Sequence, residues 1–278
     1  MECTDMVETA GGTCSMVLSW WPTPAHLVLR DSSPAGGSVF SVVLANQKGG
    51  VGKTTTAIHV AHGLALAGAR VVLFDLDPQG NATVALQGMM QGQESEAALV
   101  DVGPRLRLLP SPGAEAVLDR GVSVDVHGLS SLANELSRTT DWLIVDCPPR
   151  MDEWGWAGLQ LCDEVLVPVQ AEFFSMHGLS QMLGSLASAA ERFPGKGRLM
   201  GVLPTMVNPA EPLAQEVLED LRRNLGSRMM KSLITRDPAL VEAASHGKTT
   251  FAHCPWSEGA LCYSELVQEI LDGRKTSR

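Results

Sequence analysis

The chain predicts an α/β fold: a single domain with a mostly parallel sheet flanked by helices. Three observations carry that expectation. Short apolar runs rich in β-branched residues alternate with helical stretches along most of the 278 residues, the pattern of strands joined by helical crossovers. A glycine-rich segment, Lys48 to Thr55, stands between the first such strand and the first such helix. Two later runs end in aspartate, at the carboxyl edge where ligands of open α/β sheets bind.

The elements follow in order. Residues 39–45 form an apolar run expected as a buried parallel strand. A helix is expected over 54–66, with Ile58, Ala61, Leu64 and Ala65 on its apolar face and Gly68 as its stop. Strands are expected over 71–74 and 106–109. A helix near 130–137 leads to strands over 142–145 and 164–169. A helix over 178–192 precedes a strand over 199–203; helices over 213–224 and 257–271 close the chain. No internal repeat is present. The economical organisation is one domain over 38–275 with a tail of 276–278.

Residues 1–37 differ. Gly11, Gly12, Pro22, Pro24, Pro34, Gly36 and Gly37 surround Trp20 and Trp21, and punctuation this dense prevents a long regular element. Two readings stand open: a flexible extension, or a short partner-binding arm anchored by the tryptophans.

Composition excludes several classes. Hydrophobic residues at 45% and charged residues at 19% exclude a largely disordered chain. Aromatics at 5%, with one Tyr, argue against a base-stacking platform. A net charge of −10 repels nucleic acid and anionic membranes, so any such contact needs a local basic patch. Six cysteines with no C-x-x-C pair argue against zinc ribbons and for a reduced, cytoplasmic setting. There is no run of 18 apolar residues, and the first residues are acidic. Neither a transmembrane helix nor a secretory signal is therefore expected.

The loop carries the chemistry. Strict G-x-x-x-x-G-K-[ST] needs a glycine at position 47, which is Gln47. Gly49, Gly50 and Gly52 still let the backbone around Val51 curl its N–H groups toward phosphate oxygens. The following helix adds its positive end. Lys53 can reach β- and γ-phosphates, and Thr54, followed by Thr55, can offer a hydroxyl to Mg2+. A turn that merely joined strand to helix would need neither the two lysines nor the threonines.

At these residues the chain resembles the ParA/MinD family of deviant Walker A P-loop ATPases, on its ParA/Soj partition side. The resemblance runs from Ala45 to Thr56 and continues through Asp75-Leu76-Asp77-Pro78-Gln79-Gly80. It returns at Asp146-Cys147-Pro148-Pro149, at Val167 to Gln170, at Gly201 to Met206 and at Glu242 to Lys248. It implies ATP and Mg2+ as cofactors, with Thr54 and Asp146 at the metal and Asp77 positioning the attacking water. It implies that Lys48 crosses a dimer interface to the partner's nucleotide, as an arginine finger does in trans. Adenine is expected near Thr205 and Asn208. The implied partners are a second copy in an ATP-dependent homodimer, non-specific double-stranded DNA and a ParB-like centromere-binding protein. The implied location is the cytoplasm, on the nucleoid, with no stable membrane anchor.

From the residues alone, Asp146 ends a strand as a metal carboxylate does, and Asp75 and Asp77 flank Leu76 on one face. Asp77 reads alternatively as a cap for the turn 78–80. Between Arg192 and Arg236 eight basic residues face four acidic ones, so this stretch is +4 and the remainder −14. Arg192, Arg222, Arg223, Arg228 and Lys231 are the candidate DNA contacts; a solvated helix face is the alternative. Arg274 and Lys275 read as further contacts or a frayed end.

His59 and His62 share a helix face without an evident third ligand, and His253-Cys254 is an isolated pair; metal binding is not expected at either. Cys147 and Cys162 raise an iron–sulfur reductase reading, but Cys147 reads as packing inside its turn. A MinD-like membrane regulator would need a basic amphipathic C-terminal helix, where Glu265 stands instead. Transport of a protein cargo remains a further alternative. Two departures from the family stand out: Arg150 to Trp156 replaces a small and apolar stretch, and 88–102 is short and polar where a further helix is common.

Overall fold

A computed structural model describes residues 39–91, 99–111, 139–172 and 175–276. All of them lie in the second of two units, Ser33–Arg278. The expected extension (1–37) and the expected helix over 130–137 lie outside the described residues.

The first half runs β1 (Phe40–Leu44), α1 (Lys53–Leu66), β2 (Val71–Asp75), α2 (Asn81–Ala85), β3 (Val100–Gly103), β4 (Leu106–Leu109) and β5 (Trp142–Asp146). The second half runs α3 (Glu153–Leu161), β6 (Glu164–Gln170), α4 (Ser175–Arg192), β7 (Arg198–Thr205) and α5 (Pro212–Leu225). It closes with α6 (Pro238–Ser245), α7 (Thr250–His253) and α8 (Glu258–Thr276). Among the described residues the strands form one seven-stranded sheet in the order β3-β4-β2-β5-β1-β6-β7. Every pairing is parallel except β3 with β4.

The expected strands form. β3 was not expected, because Val100-Asp101-Val102-Gly103 is too short and polar to stand out. It forms because Arg105 takes a left-handed backbone (φ 62°) that turns it back on β4. The stretch 88–102 therefore ends in a strand. Pro168 sits inside β6, where a missing N–H normally costs a ladder bond. Here β1 has already ended at the Leu44–Leu166 pair. The Pro168 carbonyl instead accepts the Asn46 side-chain amide at 2.7 Å, which fixes the chain just before the glycine-rich loop.

Alternation sorts the strands into two faces. Val43, Val72, Val145, Val165 and Val202 pack with Leu159 of α3, Met182 of α4 and Leu221 of α5. α1 packs on the opposite face and against α8. A Cβ on Gly63 would lie 2.6 Å from Val267 of α8, so the close approach of the two helices requires glycine there. Residues 229–235 line the outer edge of β7, with Met230 N–H donating to the Val202 carbonyl and Ile234 N–H to the Pro204 carbonyl. The edge is thereby covered. At the start of the central strand β5 the Arg274 guanidinium lies 4.8 Å over the Trp142 ring. The end of α8 is therefore anchored there, and the helix runs five residues past the expected Leu271 to Thr276.

Candidate functional site

The strand alternation that buries Leu76 and Cys147 on one face sends Asp75, Asp77 and Asp146 to the other, where α1 begins. Asp75 and Asp146 are register partners on β2 and β5. Between β1 and α1 the loop turns through Gly50 (φ 73°) and Gly52 (φ 85°). A side chain is strained in that left-handed region. Space around Gly49 and Gly50 is open, so the loop backbone can be approached closely.

Three contacts hold the loop. The Lys48 N–H donates to Asn46 Oδ1 at 3.0 Å. The Thr205 hydroxyl, buried at the end of β7, donates to the Val51 carbonyl at 2.9 Å. The Lys53 ammonium donates to the Lys48 carbonyl at 3.1 Å. Asn46 was not singled out from the sequence, although its place directly before the loop is a usable signal. Thr205 was expected beside adenine; its hydroxyl ties β7 to the loop. Asn208 donates to Glu211 Oε1 at 2.8 Å and accepts the Ala210 N–H at 3.2 Å, closing its own turn.

The electrostatics are those of a site short of cation. Asp146 is fully buried, and neither of its oxygens has a hydrogen-bond partner of full geometry. Burial pushes its carboxyl up to about 8, with partial relief from the neighbouring Thr54 hydroxyl and the Lys53 charge. Burial also raises Asp75, against its bonds from the Thr83 N–H (2.8 Å) and hydroxyl (2.7 Å). Lys53 is held below its ordinary range by burial, opposed first by Asp146. A buried carboxylate with orphaned oxygens beside a threonine hydroxyl is a fitting seat for a hard divalent cation. Thr54 and Asp146 are the residues that fit Mg2+, which would neutralise phosphate charge.

Asp77 is buried, with Oδ1 accepting the Gln79 N–H at 3.0 Å and its carbonyl accepting the Ser111 hydroxyl at 2.7 Å. It does cap its turn, and among the described residues no bond is made by Oδ2. The Lys48 ammonium pairs with Glu172 at 3.5 Å, with 35% of the Lys48 side chain exposed. Glu172 carries no sequence signal.

α1 is seated by buried polar contacts. The Thr56 and Tyr263 hydroxyls lie 3.1 Å apart, and His59 stacks on Tyr263. His59 Nδ1–H donates to the Thr55 carbonyl at 2.7 Å, so Nε2 is the acceptor of the Thr250 N–H at 3.0 Å. His62 Nδ1 meets the Thr249 hydroxyl at 2.6 Å. Burial lowers His59 to about 3 and His62 to about 4. Both histidines are thus packed in the fold with ring nitrogens engaged by Thr55, Thr249 and Thr250.

Because both are neutral in the fold, their stability is complete above about pH 6.5 and is lost as pH falls from there toward 4 and 3. Asp146, raised to about 8, works in the opposite sense. The measurable quantity is therefore the difference between the parent and His62→Gln. Urea unfolding from pH 7 to 5 should show the variant's stability falling less steeply, by about 1 kcal/mol per pH unit on average over that window. Equal slopes would show that His62 is protonated in the fold.

The candidate DNA residues are dispersed in their contacts. Arg222, Arg223 and Arg228 are exposed at and after the end of α5. Arg223 pairs with Asp220 at 3.0 Å, while Arg192 lies 4.8 Å over Trp156. Lys231 is exposed, and its backbone N–H is held by Glu269. Among the described residues Arg222 and Arg228 make no ion pair. Trp156 joins the Arg150–Trp156 segment, where Asp152 caps α3, to Arg192.

A phosphate loop between a strand and a helix, at the carboxyl edge of a parallel sheet beside a strand-end carboxylate, defines a P-loop nucleotide-binding protein. The AAA domain family matches residues 40–196, more than half the chain. The chromosome-partitioning ATPase Soj of Thermus thermophilus is 38% identical over 240 residues, covering 83% of this chain and 94% of its own. Cobyrinic acid a,c-diamide synthase from Mycobacterium smegmatis, solved with an ATP analogue and magnesium, aligns with a TM-score of 0.68 at 28% identity, over 86% of this chain and 97% of its own. A variant of McdA from Cyanothece, solved with ATP, shares the fold with a TM-score of 0.70 at 20% identity, over 85% and 98%. The chain belongs to the ParA/MinD family of deviant Walker A P-loop ATPases, on the ParA/Soj side.

Proposed function

We propose that the protein is a Mg2+-dependent ATPase that closes into a homodimer on ATP, binds double-stranded DNA without sequence preference and positions a DNA replicon with a ParB-like partner. The observation that carries the nucleotide part is Asp146, buried with both oxygens orphaned beside Lys53 and Thr54. The loop N–H groups and Lys53 bind and orient the phosphates; Thr54 and Asp146 would hold Mg2+, which would supply charge neutralisation. Asp77 orients water through Oδ2 while Oδ1 holds its turn. Lys48, outward and only weakly paired, is delivered to a second copy's nucleotide.

The DNA part rests on Arg192, Arg222, Arg223, Arg228 and Lys231, supported by Soj as a relative. α8 favours this reading over a membrane-bound one. Its apolar residues Tyr263, Leu266, Val267 and Ile270 are buried in the fold. No described helix is long and apolar enough to cross a membrane.

The test is a salt titration of binding to unrelated duplexes. Arg222→Glu with Arg223→Glu should leave ATP-driven dimerisation unchanged and remove DNA binding. Each lost phosphate contact lowers the salt slope of log K by about 0.9, and a dimer doubles the loss. Parental affinity and slope in the double variant would reduce the patch to a solvated face. Partition of the parent onto anionic vesicles instead of DNA would favour a MinD-like role.

A further inference from the structure

Away from the nucleotide site, the fold gathers Glu242, His246 and His253 so that one ligand atom from each lies within 4.8 Å of the others. We propose that these three side chains form a surface site for a divalent transition metal of the zinc class, which staples α6 to α7. Glu242 lies in the last turns of α6 and His246, four residues on, is its C-cap residue, so the two stand near one another at the helix end. His253 comes from α7, and its Nε2 already lies 3.2 Å from Glu242 Oε1. Metal bonds of about 2.0–2.1 Å in a tetrahedral site put neighbouring ligand atoms about 3.3 Å apart, so that pair is in place. His246 alone has to move. Its ring is exposed at the end of α6, stacked 4.7 Å from His253 at 22°, and rotation about its own side-chain bonds brings a nitrogen inward.

The donor set selects the metal. Two imidazoles and one carboxylate suit Zn2+, Co2+ or Ni2+, whereas Mg2+ prefers oxygen ligands. The negative end of α6 adds to the attraction for a cation. Exposure of Glu242 and His246 leaves a coordination position open to water. The staple spans the turn carrying Gly247, whose carbonyl accepts the Gly88 N–H at 3.0 Å. It also spans Thr249 and Thr250, which hold His62 and His59 of α1. Bound metal would thus fix the segment that seats the helix of the phosphate loop. His253 gives no local signal of a site because its partners lie seven and eleven residues upstream, and the adjacent Cys254 is buried.

The experiment titrates Co2+ into the chelator-stripped full chain, in constant Mg2+, followed by absorption and by competition with Zn2+. One Co2+ per chain is expected, without the charge-transfer band of a thiolate ligand. Zn2+ should raise the thermal midpoint by several degrees. His246→Gln and Glu242→Gln alter exposed positions and should fold as the parent does. Each should weaken Co2+ by more than about 100-fold, beyond what outer-shell changes produce, and abolish the Zn2+ shift. Parental affinity in both variants, a thiolate band, or no binding at micromolar Co2+ would each overturn the site. His253→Gln gives a third, independent removal of one ligand, and retention of metal there would overturn it as well.

Discussion

Lys53→Ala is expected to weaken ATP binding by more than about 100-fold, since a charge-assisted bond in a desolvated site is lost. The fold should survive. Burial already holds the Lys53 ammonium below its ordinary range, so the cation contributes little net stability before phosphate arrives. Asp146, pushed up to about 8 by burial even with Lys53 present, keeps a proton at neutral pH when the lysine is removed. A calorimetric titration with ATP and Mg2+, beside a thermal melt, measures both. Affinity within tenfold of the parent would show that the loop backbone carries the phosphates alone.

The second large effect is expected at Lys48. Lys48→Ala should leave ATP affinity within a few-fold of the parent, yet remove ATP-dependent dimerisation and lower turnover by about 1,000-fold, the lower range for a cation supplied in trans. The reason lies in how the residue divides its work. Its N–H and carbonyl hold the loop through Asn46 and Lys53, and alanine keeps both. Only the ammonium is lost, and its 3.5 Å pair with exposed Glu172 is worth less than about 1 kcal/mol. Sedimentation velocity with ATP and Mg2+ measures the dimer. A Lys48→Ala protein that dimerises and hydrolyses normally would refute the trans assignment.

Much of the site was legible because its parts are local. The glycines, Lys53 and Thr54 occupy one loop, and strand alternation alone put Asp75 and Asp77 on a common face. The contacts that were missed join residues far apart in the chain. Asn46 reaches Pro168, Thr205 reaches Val51 and Lys48 reaches Glu172. No spacing rule connects such pairs. α3 was missed for a different reason. Trp154 and Trp156 broke the expected small and apolar stretch, yet Asp152 caps the helix through the N–H groups of Trp154 and Gly155.

The sheet-and-helix alternation, the phosphate loop and the strand-end carboxylates are local features of the chain. Each is written in residue type and short-range period, and the backbone has few alternatives once these are set. Tertiary structure alone decided the charge states and the partners. Asp146 became a carboxyl short of a cation because packing removed water from both oxygens. His59 and His62 became neutral because Thr250 and Thr249 met them in a buried layer. His253 acquired Glu242 and His246 because α7 folds back on α6. Desolvation and long-range proximity are properties of the assembled fold, and no single stretch of chain contains them.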